Sequence, residues 1–344
     1  MSTAAVIPRV VAGATAAGAP GPAAAAAVKP AAVVPVLAME RLHLKAPDGF
    51  SLDLGPWALA PGQRLGLIGR NGAGKSTLLE ALSGLRDVTF AEGQLLGHPW
   101  RELHREPALR LELGVLLQQV EFSAYTRVRE LLALHAVLYG PPWPQLHQRL
   151  GMAELAPLRA RTLSRGQRQR LLLCLALSHR PTLAFLDEPL TGLDRRYVDA
   201  LGEVLNGPEL ANTAMLIVGH TPEELALCQG FLWLHEGRLA DQGDQATLLQ
   251  RHLAPHRALV QAATQAEIED LVAAVAAADL GLQRVERPQP KSVLLFSREP
   301  LAARLAALAP AGGWPGLEVG RSQMGDLLRA GPRSAALATP GVLH

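Results

Sequence analysis

Residues Gly69, Arg70, Asn71, Gly72, Ala73, Gly74, Lys75 and Ser76 form a G-x-x-x-x-G-K-S run. An apolar stretch, 65–68, precedes it, and a helical pattern, 77–85, follows it. Glycines at three positions let the backbone turn back on itself with its N–H groups pointing inward. Those groups and the N-terminus of the following helix together make a cradle for the β- and γ-phosphates of a nucleotide. Lys75 adds a cation and Ser76 a hydroxyl able to ligate Mg2+, so the chain reads as nucleotide-binding with Mg2+ as its expected metal.

A second group with chemical use is Asp187-Glu188, at the end of the apolar run 183–186. A buried strand of that kind delivers both carboxylates to the C-terminal edge of a sheet, where the phosphate loop must also lie. An aspartate at a strand tip can hold the metal through water, and the next glutamate can reach the water that attacks the γ-phosphate.

These groups need a scaffold, and the pattern around them supplies one. Strand-like segments at 40–45, 50–54, 57–59 and 64–68, separated by Pro47-Asp48-Gly49 and Pro61-Gly62, predict an antiparallel lead-in. Residues 100–162 read mostly as helices, 128–138 being apolar at helical spacing and Gly140-Pro141-Pro142 stopping the run. A helix from Ser164 to about residue 177, the strand 183–186, a helix near 195–206 and the apolar run 214–218 then alternate, as in a parallel sheet with crossover helices. The fold class is α/β.

Beyond residue 250 the texture changes to an Ala-rich helix at 265–280, a strand at 292–296, a helix at 299–308 and a Pro/Gly-rich tail. Residues 251–344 are read as a small α+β accessory domain. Residues 1–37 carry only Arg9 and Lys29 as charges and are broken by Pro8, Pro20, Pro22, Pro30 and Pro35, so they read as a disordered leader. The phosphate loop has no internal repeat, so a second nucleotide site must come from another chain.

Net charge is +2, with both signs interspersed, which argues against a nucleic-acid partner. Cys174 and Cys228 lie in patterns read as apolar helix, behave as small hydrophobes and lack metal-ligand spacing. No run of 18 or more residues is apolar and free of Pro, Gly and charge, so any membrane role requires a partner.

Leu163-Ser164-Arg165-Gly166-Gln167 opens a helix just upstream of the carboxylates, and here the chain resembles the ATP-binding-cassette (ABC) family, whose signature is L-S-G-G-Q. The resemblance covers about 38–245 of a domain read as 38–248, and six pieces fall in the family's order: the phosphate loop, Gln118, the Ser164 segment, Asp187-Glu188, Gly192-Leu193-Asp194, and His220. It implies a P-loop nucleotide-binding domain with a mixed sheet and a helical subdomain at about 100–162, hydrolysing ATP with Mg2+. By resemblance, Gly69 to Thr77 bind the phosphates. Ser76, Asp187 and Gln118 serve the metal, and Gln118 also senses the attacking water. Glu188 polarises that water, and His220 contacts the γ-phosphate and positions Glu188. Ser164, Gly166 and Gln167 act in trans on the nucleotide of a second ATP-binding subunit, in a head-to-tail homodimer. This sequence departs from the family at Arg165, which stands in the place of the first signature glycine. It departs again at Ala46, where an adenine-stacking aromatic is expected and which leaves Phe50 to substitute.

The segment 128–140, with Arg129-Glu130-Leu131-Leu132 and Leu138-Tyr139-Gly140, resembles single-cassette exporters of drugs and polysaccharides whose transmembrane permease is a separate polypeptide, and 322–330 looks similar to the closing helix of their C-terminal domain. The resemblance implies an export ATPase held by that permease at the cytoplasmic face of the inner membrane. Phe122, Tyr125 and Leu131 are candidates for the docking groove. The competing expectation is a soluble ABC-type ATPase not coupled to transport.

Overall fold

A computed structural model describes residues 34–330 except 47, 48, 104, 119, 124, 279, 310–313 and 315. Among these residues the main sheet runs His98–Pro99, Phe90–Leu95, Leu37–Lys45, Ser51–Leu54, Arg238–Gly243, Gly230–His235, Arg64–Ile68, Ala214–Val218, Leu183–Asp187, Leu113–Leu116, with Trp57–Leu59 paired beside Leu37–Lys45. Leu37–Lys45 pairs antiparallel with Ser51–Leu54 and Trp57–Leu59, as the lead-in predicts, but Arg64–Ile68, read as its last strand, pairs in parallel with Gly230–His235 and Ala214–Val218 inside the sheet. The last five strands in that order pair in parallel.

Side chains alternate across a strand, so a strand buried on both faces must be apolar throughout. Leu183 and Phe185 point into one core, with Leu78, Leu79 and Leu82 of the helix Lys75–Leu82, while Ala184 and Leu186 point into another, with Leu171, Leu173 and Leu177 of the helix Arg165–Leu177. The same period of two puts Asp187 on the Phe185 face, above the phosphate-loop helix.

Register brings the strand ends level. Leu67 pairs with Val218, Val218 with Asp187, and Leu186 with Leu116. The segments leaving these strands carry the phosphate loop, His220, Asp187-Glu188 and Gln118, all at one sheet edge, where α/β folds bind ligands.

Three further sequence expectations change. Leu37 belongs to the first strand, fully buried and paired with Leu59 and Leu95, so the predicted leader does not extend through it; residues 1–33 lie outside the described residues. Within 100–162, Leu113–Leu116 is a strand of the main sheet, between the short helix Pro107–Leu111 and the helix Val128–Tyr139. Cys228 sits in the loop after the short helix Pro222–Leu225 rather than within a helix; Cys174 is in the helix Arg165–Leu177. Burial in apolar surroundings pushes both thiols up to about 12.

Residues 256–321 contain a four-stranded antiparallel sheet in the order Leu282–Gln289, Ser292–Ser297, His256–Gln261, Glu318–Arg321. One face has its own core of Val260, Val293 and Leu295 under the helices Gln265–Ala277 and Ala302–Ala307. The other face, through Leu259, Leu294 and Phe296, joins a cluster with Phe231 and Trp233 of the main sheet. The C-terminal helix Met324–Ala330 adds Met324 and Leu327 to this cluster, against Leu225. The tail 331–344 lies outside the described residues.

Candidate nucleotide site

Gly74 caps the phosphate-loop helix at φ 101°, and a Cβ there would lie 2.7 Å from both Leu52 and the Phe50 ring, so both the turn and the close approach require glycine. Lys75 is 7% exposed and donates from Nζ to the carbonyls of Gly69 (2.9 Å) and Arg70 (3.1 Å), which aims the ammonium back into the loop. Burial pushes its pKa down, opposed by the nearby Asp187 and Glu188 carboxylates.

Asp187 is 2% exposed. Burial pushes its pKa up, the Ser76 hydroxyl bond and Lys75 oppose that, and Glu188 reinforces it. Its Oδ1 has no hydrogen-bond partner among the described residues. An orphaned buried carboxylate oxygen bonded through its group to a serine hydroxyl fits an Mg2+ site: oxygen ligands of this kind suit that cation, and the orphan needs compensation.

Glu188 adopts φ 48°, a left-handed conformation that costs a non-glycine residue about 1 kcal/mol. Its surroundings hold it there. Its N–H donates to the Val218 carbonyl (3.0 Å), its carbonyl accepts from Gln169 Nε2 (3.0 Å), and its Oε2 accepts from the Thr191 hydroxyl (3.1 Å). Oε1 lies 3.5 Å from His220 Nε2. Burial, then Lys75, push the His220 pKa down, and Glu188 and Glu224 oppose this, so the contact is to a neutral imidazole near pH 7.

Asn71, Gly72, Gly74, Lys75, Ser76, Thr77, Gln118, Asp187, Glu188 and His220 therefore surround one cavity of about 530 Å³. Gly69, Arg70 and Ala73 shape the loop behind it without lining it. Ala46 and Phe50 line the same cavity, which puts an aromatic ring beside the alanine.

Ser164, Gly166 and Gln167 do not join this cavity. They line a second one of about 460 Å³ with Gly192, Leu193 and Asp194. Ser164 caps the helix Arg165–Leu177: its hydroxyl accepts from the Gln167 N–H (3.3 Å), and Gln167 Oε1 accepts from the Ser164 N–H (3.0 Å). A Cβ on Gly166 would sit 2.6 Å from the Gly192 carbonyl, so glycine lets the two segments touch. The Arg165 side chain lies along Gly192, whose added Cβ would be 3.0 Å from its Cγ.

A third cavity, about 390 Å³ and largely apolar, lies between the helix Val128–Tyr139 and the strand Leu113–Leu116, lined among others by Leu131, Leu134, His135, Leu138 and His179, with Leu85, Leu134 and Leu138 exposed at its rim. Leu131 is there as expected. Phe122 instead packs against the core beneath the Arg168 guanidinium, and Tyr125 stands 81% exposed away from the groove.

Sequence reasoning missed Gln169, Thr191 and Glu224. Glu224 was visible as the last member of a T-x-x-E capping box beginning at Thr221. Gln169 and Thr191 carry no such local signal.

A family profile described as ABC transporter matches residues 55–191. The Nod factor export ATP-binding protein I of Cupriavidus metallidurans is 30% identical over 226 residues, covering 63% of this chain and 74% of that protein. The tungstate uptake system ATP-binding protein of Peptoclostridium acidaminophilum is 29% identical over 204 residues, 58% of this chain and 95% of that one. For the aliphatic sulfonates import ATP-binding protein of Ralstonia nicotianae the figures are 32% over 205 residues, and the match covers 56% of this chain and 65% of that protein's length. Among solved structures, an ATP-binding subunit of an ABC transporter superposes with TM-score 0.57 at 23% identity, covering 62% of this chain and 92% of that one. A dimeric post-hydrolysis ATP-binding cassette bound to ADP and Pi superposes with TM-score 0.51 at 20% identity, covering 60% and 98%. The chain belongs to the ATP-binding-cassette family of transporter ATPases, which bind ATP with Mg2+ and hydrolyse it.

Proposed function

We propose that this chain is the ATP-hydrolysing subunit of an exporter, acting as a head-to-tail homodimer on a separate transmembrane permease. The observation that carries this reading is the division of its functional side chains between two cavities. Lys75, Ser76, Asp187, Glu188 and His220 surround one, and the start of the Ser164 helix opens on the other.

In the first cavity Lys75 and the loop N–H groups hold the β- and γ-phosphates of ATP. Ser76 and Asp187 would hold Mg2+, with Gln118 at the exposed side; when bound, the ion neutralises charge on the phosphate oxygens. Glu188 orients the attacking water and draws its proton as the oxygen adds to the γ-phosphorus and the bond to ADP breaks. His220 keeps Glu188 in place and contacts the γ-phosphate. In the second cavity Ser164, Gly166 and Gln167 meet the γ-phosphate held by the other subunit. Charge-assisted hydrogen bonds contribute roughly 1.5–3 kcal/mol each. Two or three at each of two sites reach the ~5.5 kcal/mol that swings a two-state equilibrium from 1:99 to 99:1, and loss of the γ-phosphate reopens the dimer.

The exposed leucines around the apolar groove support docking of a permease segment, and no helix among the described residues is long and apolar enough to cross a membrane. In this reading the chain is peripheral at the cytoplasmic face, held there through its permease. The export direction is supported by the likeness to the Nod factor export protein; the tungstate and sulfonate relatives work in uptake or import, so direction is the point to assay with the permease in sealed vesicles. The accessory domain read at 251–344 has a regulatory or docking role, a reading supported by the packing of Met324 and Leu327 in one cluster with Leu225. The decisive experiment is light scattering of Glu188→Gln with ATP and Mg2+. A stable dimer is expected, and a strictly monomeric species contradicts the reading.

A further inference from the structure

Glu224 is a carboxylate with 0% exposure that takes no part in the mechanism above. Its Oε2 accepts from the backbone N–H of His220 (2.9 Å) and of Thr221 (3.2 Å), and its Oε1 accepts from the backbone N–H of Leu190 (3.2 Å). These donors belong to two different segments. One leaves the strand Ala214–Val218 with His220; the other leaves the neighbouring strand Leu183–Asp187 with Glu188. The bonds connect the two exits through one rigid group, and the Glu188 and His220 side chains meet at 3.5 Å in front of it.

We infer that Glu224 is a positioning residue for hydrolysis, setting the distance between Glu188 and His220 by gripping the backbones that carry them. The inference rests on the reading of Glu188 and His220 given above. A carboxylate suits the task because it is acceptor-only, with lone pairs for all three donors. A glutamine in its place presents an NH2 group to at least one backbone N–H, donor against donor, and frees one exit from the other. An apolar side chain fills the space without linking them.

The test is steady-state ATPase kinetics of the full chain, with fluorescent-ATP binding measured in parallel, on wild type, Glu224→Gln, Glu188→Gln, His220→Ala and Glu224→Gln combined with His220→Ala. Displacing catalytic groups by about 1 Å costs up to about 100-fold in rate. Glu224→Gln is expected to lower kcat about 10- to 100-fold with KM and nucleotide Kd within about twofold of wild type. In the double variant the further loss beyond His220→Ala should stay below about threefold, because both changes break one unit. Wild-type kcat, parallel losses of kcat and Kd, or multiplicative losses in the double variant each overturn the inference. Should Glu224→Gln fail to fold, Glu224→Asp carries the test. It keeps the charge but is one methylene too short to grip both exits, so it is expected to show the same kcat-only loss, and wild-type kcat in that variant overturns the inference. Wild-type turnover in Glu188→Gln and His220→Ala would instead refute the underlying assignment of those two residues.

Discussion

Around Lys75 the chain buries charge against charge: a lysine, two carboxylates and a histidine stand on the exits of adjacent parallel strands, and Glu188 and His220 are held to each other and by Gln169 across long sequence separations as well as by the nearby Thr191 and Glu224. Around Ser164 the polar groups are held by near neighbours, Ser164 and Gln167 bonding each other across three residues at a helix start. The first arrangement is a preorganised receptor, because its electrostatics are set before a ligand arrives. The second presents a helix N-terminus whose local bonds are already made, and its remaining capacity points outward. In the proposed function, one cavity supplies chemistry and the other a face for a partner's phosphate.

Variants can break that contrast or sharpen it. The largest effect is expected from Glu188→Gln, which removes the general base: turnover measured by phosphate release should fall about 10²- to 10⁴-fold while ATP binding persists. Lys75→Ala removes a charge-assisted contact of roughly 1.5–3 kcal/mol, so ATP affinity by titration should drop about 10- to 150-fold; helix content and melting temperature should stay near wild type, because the Ser164 helix is held independently. Gly166→Ala drives a methyl onto the Gly192 carbonyl, 2.6 Å away. In a Glu188→Gln background it should abolish the ATP-dependent dimer in light scattering and leave ATP binding by single chains intact. Ser164→Ala loses a helix cap of about 1 kcal/mol, lowering the melting temperature by a few degrees and weakening the dimer. If Lys75→Ala and Gly166→Ala damaged the same measurement equally, the division into receptor and face would be wrong.

The smallest effect lies outside both cavities, at His179, whose pKa burial pushes down to about 4, with His135 acting in the same direction and the Leu113 carbonyl and Glu112 against it. Its folded pKa is below the unfolded value of about 6.5. The folded state therefore binds fewer protons, and the stability contributed is complete above about pH 6.5 and declines as pH falls toward 4. Melting temperature should drop between pH 7 and pH 5, and His179→Gln should flatten that slope without changing ATP affinity.

Much of this was readable before the fold was known, for a local reason. The phosphate loop, Asp187-Glu188 and the Ser164 cap owe their meaning to contiguous residues, since a cradle, a strand tip and a capping box are each built within a few positions. The lead-in strands were read where Pro47-Asp48-Gly49 and Pro61-Gly62 punctuated them, whereas Phe90–Leu95, Gly230–His235, Arg238–Gly243 and three of the four C-terminal strands were not. They become strands because distant partners pair with them, as Phe231 does beside Gly66.

The chain's residue types and spacing alone determined that it carries a phosphate loop, a buried strand ending in Asp187-Glu188 and a helix start capped by Ser164, since those features are local in sequence. Only the tertiary structure decided that four strand exits come level, that Phe50 enters the nucleotide cavity beside Ala46, and that the buried Glu224 grips the segments of both Glu188 and His220. Register and burial are set by contacts between residues far apart in the chain, and no window of neighbouring residues records them.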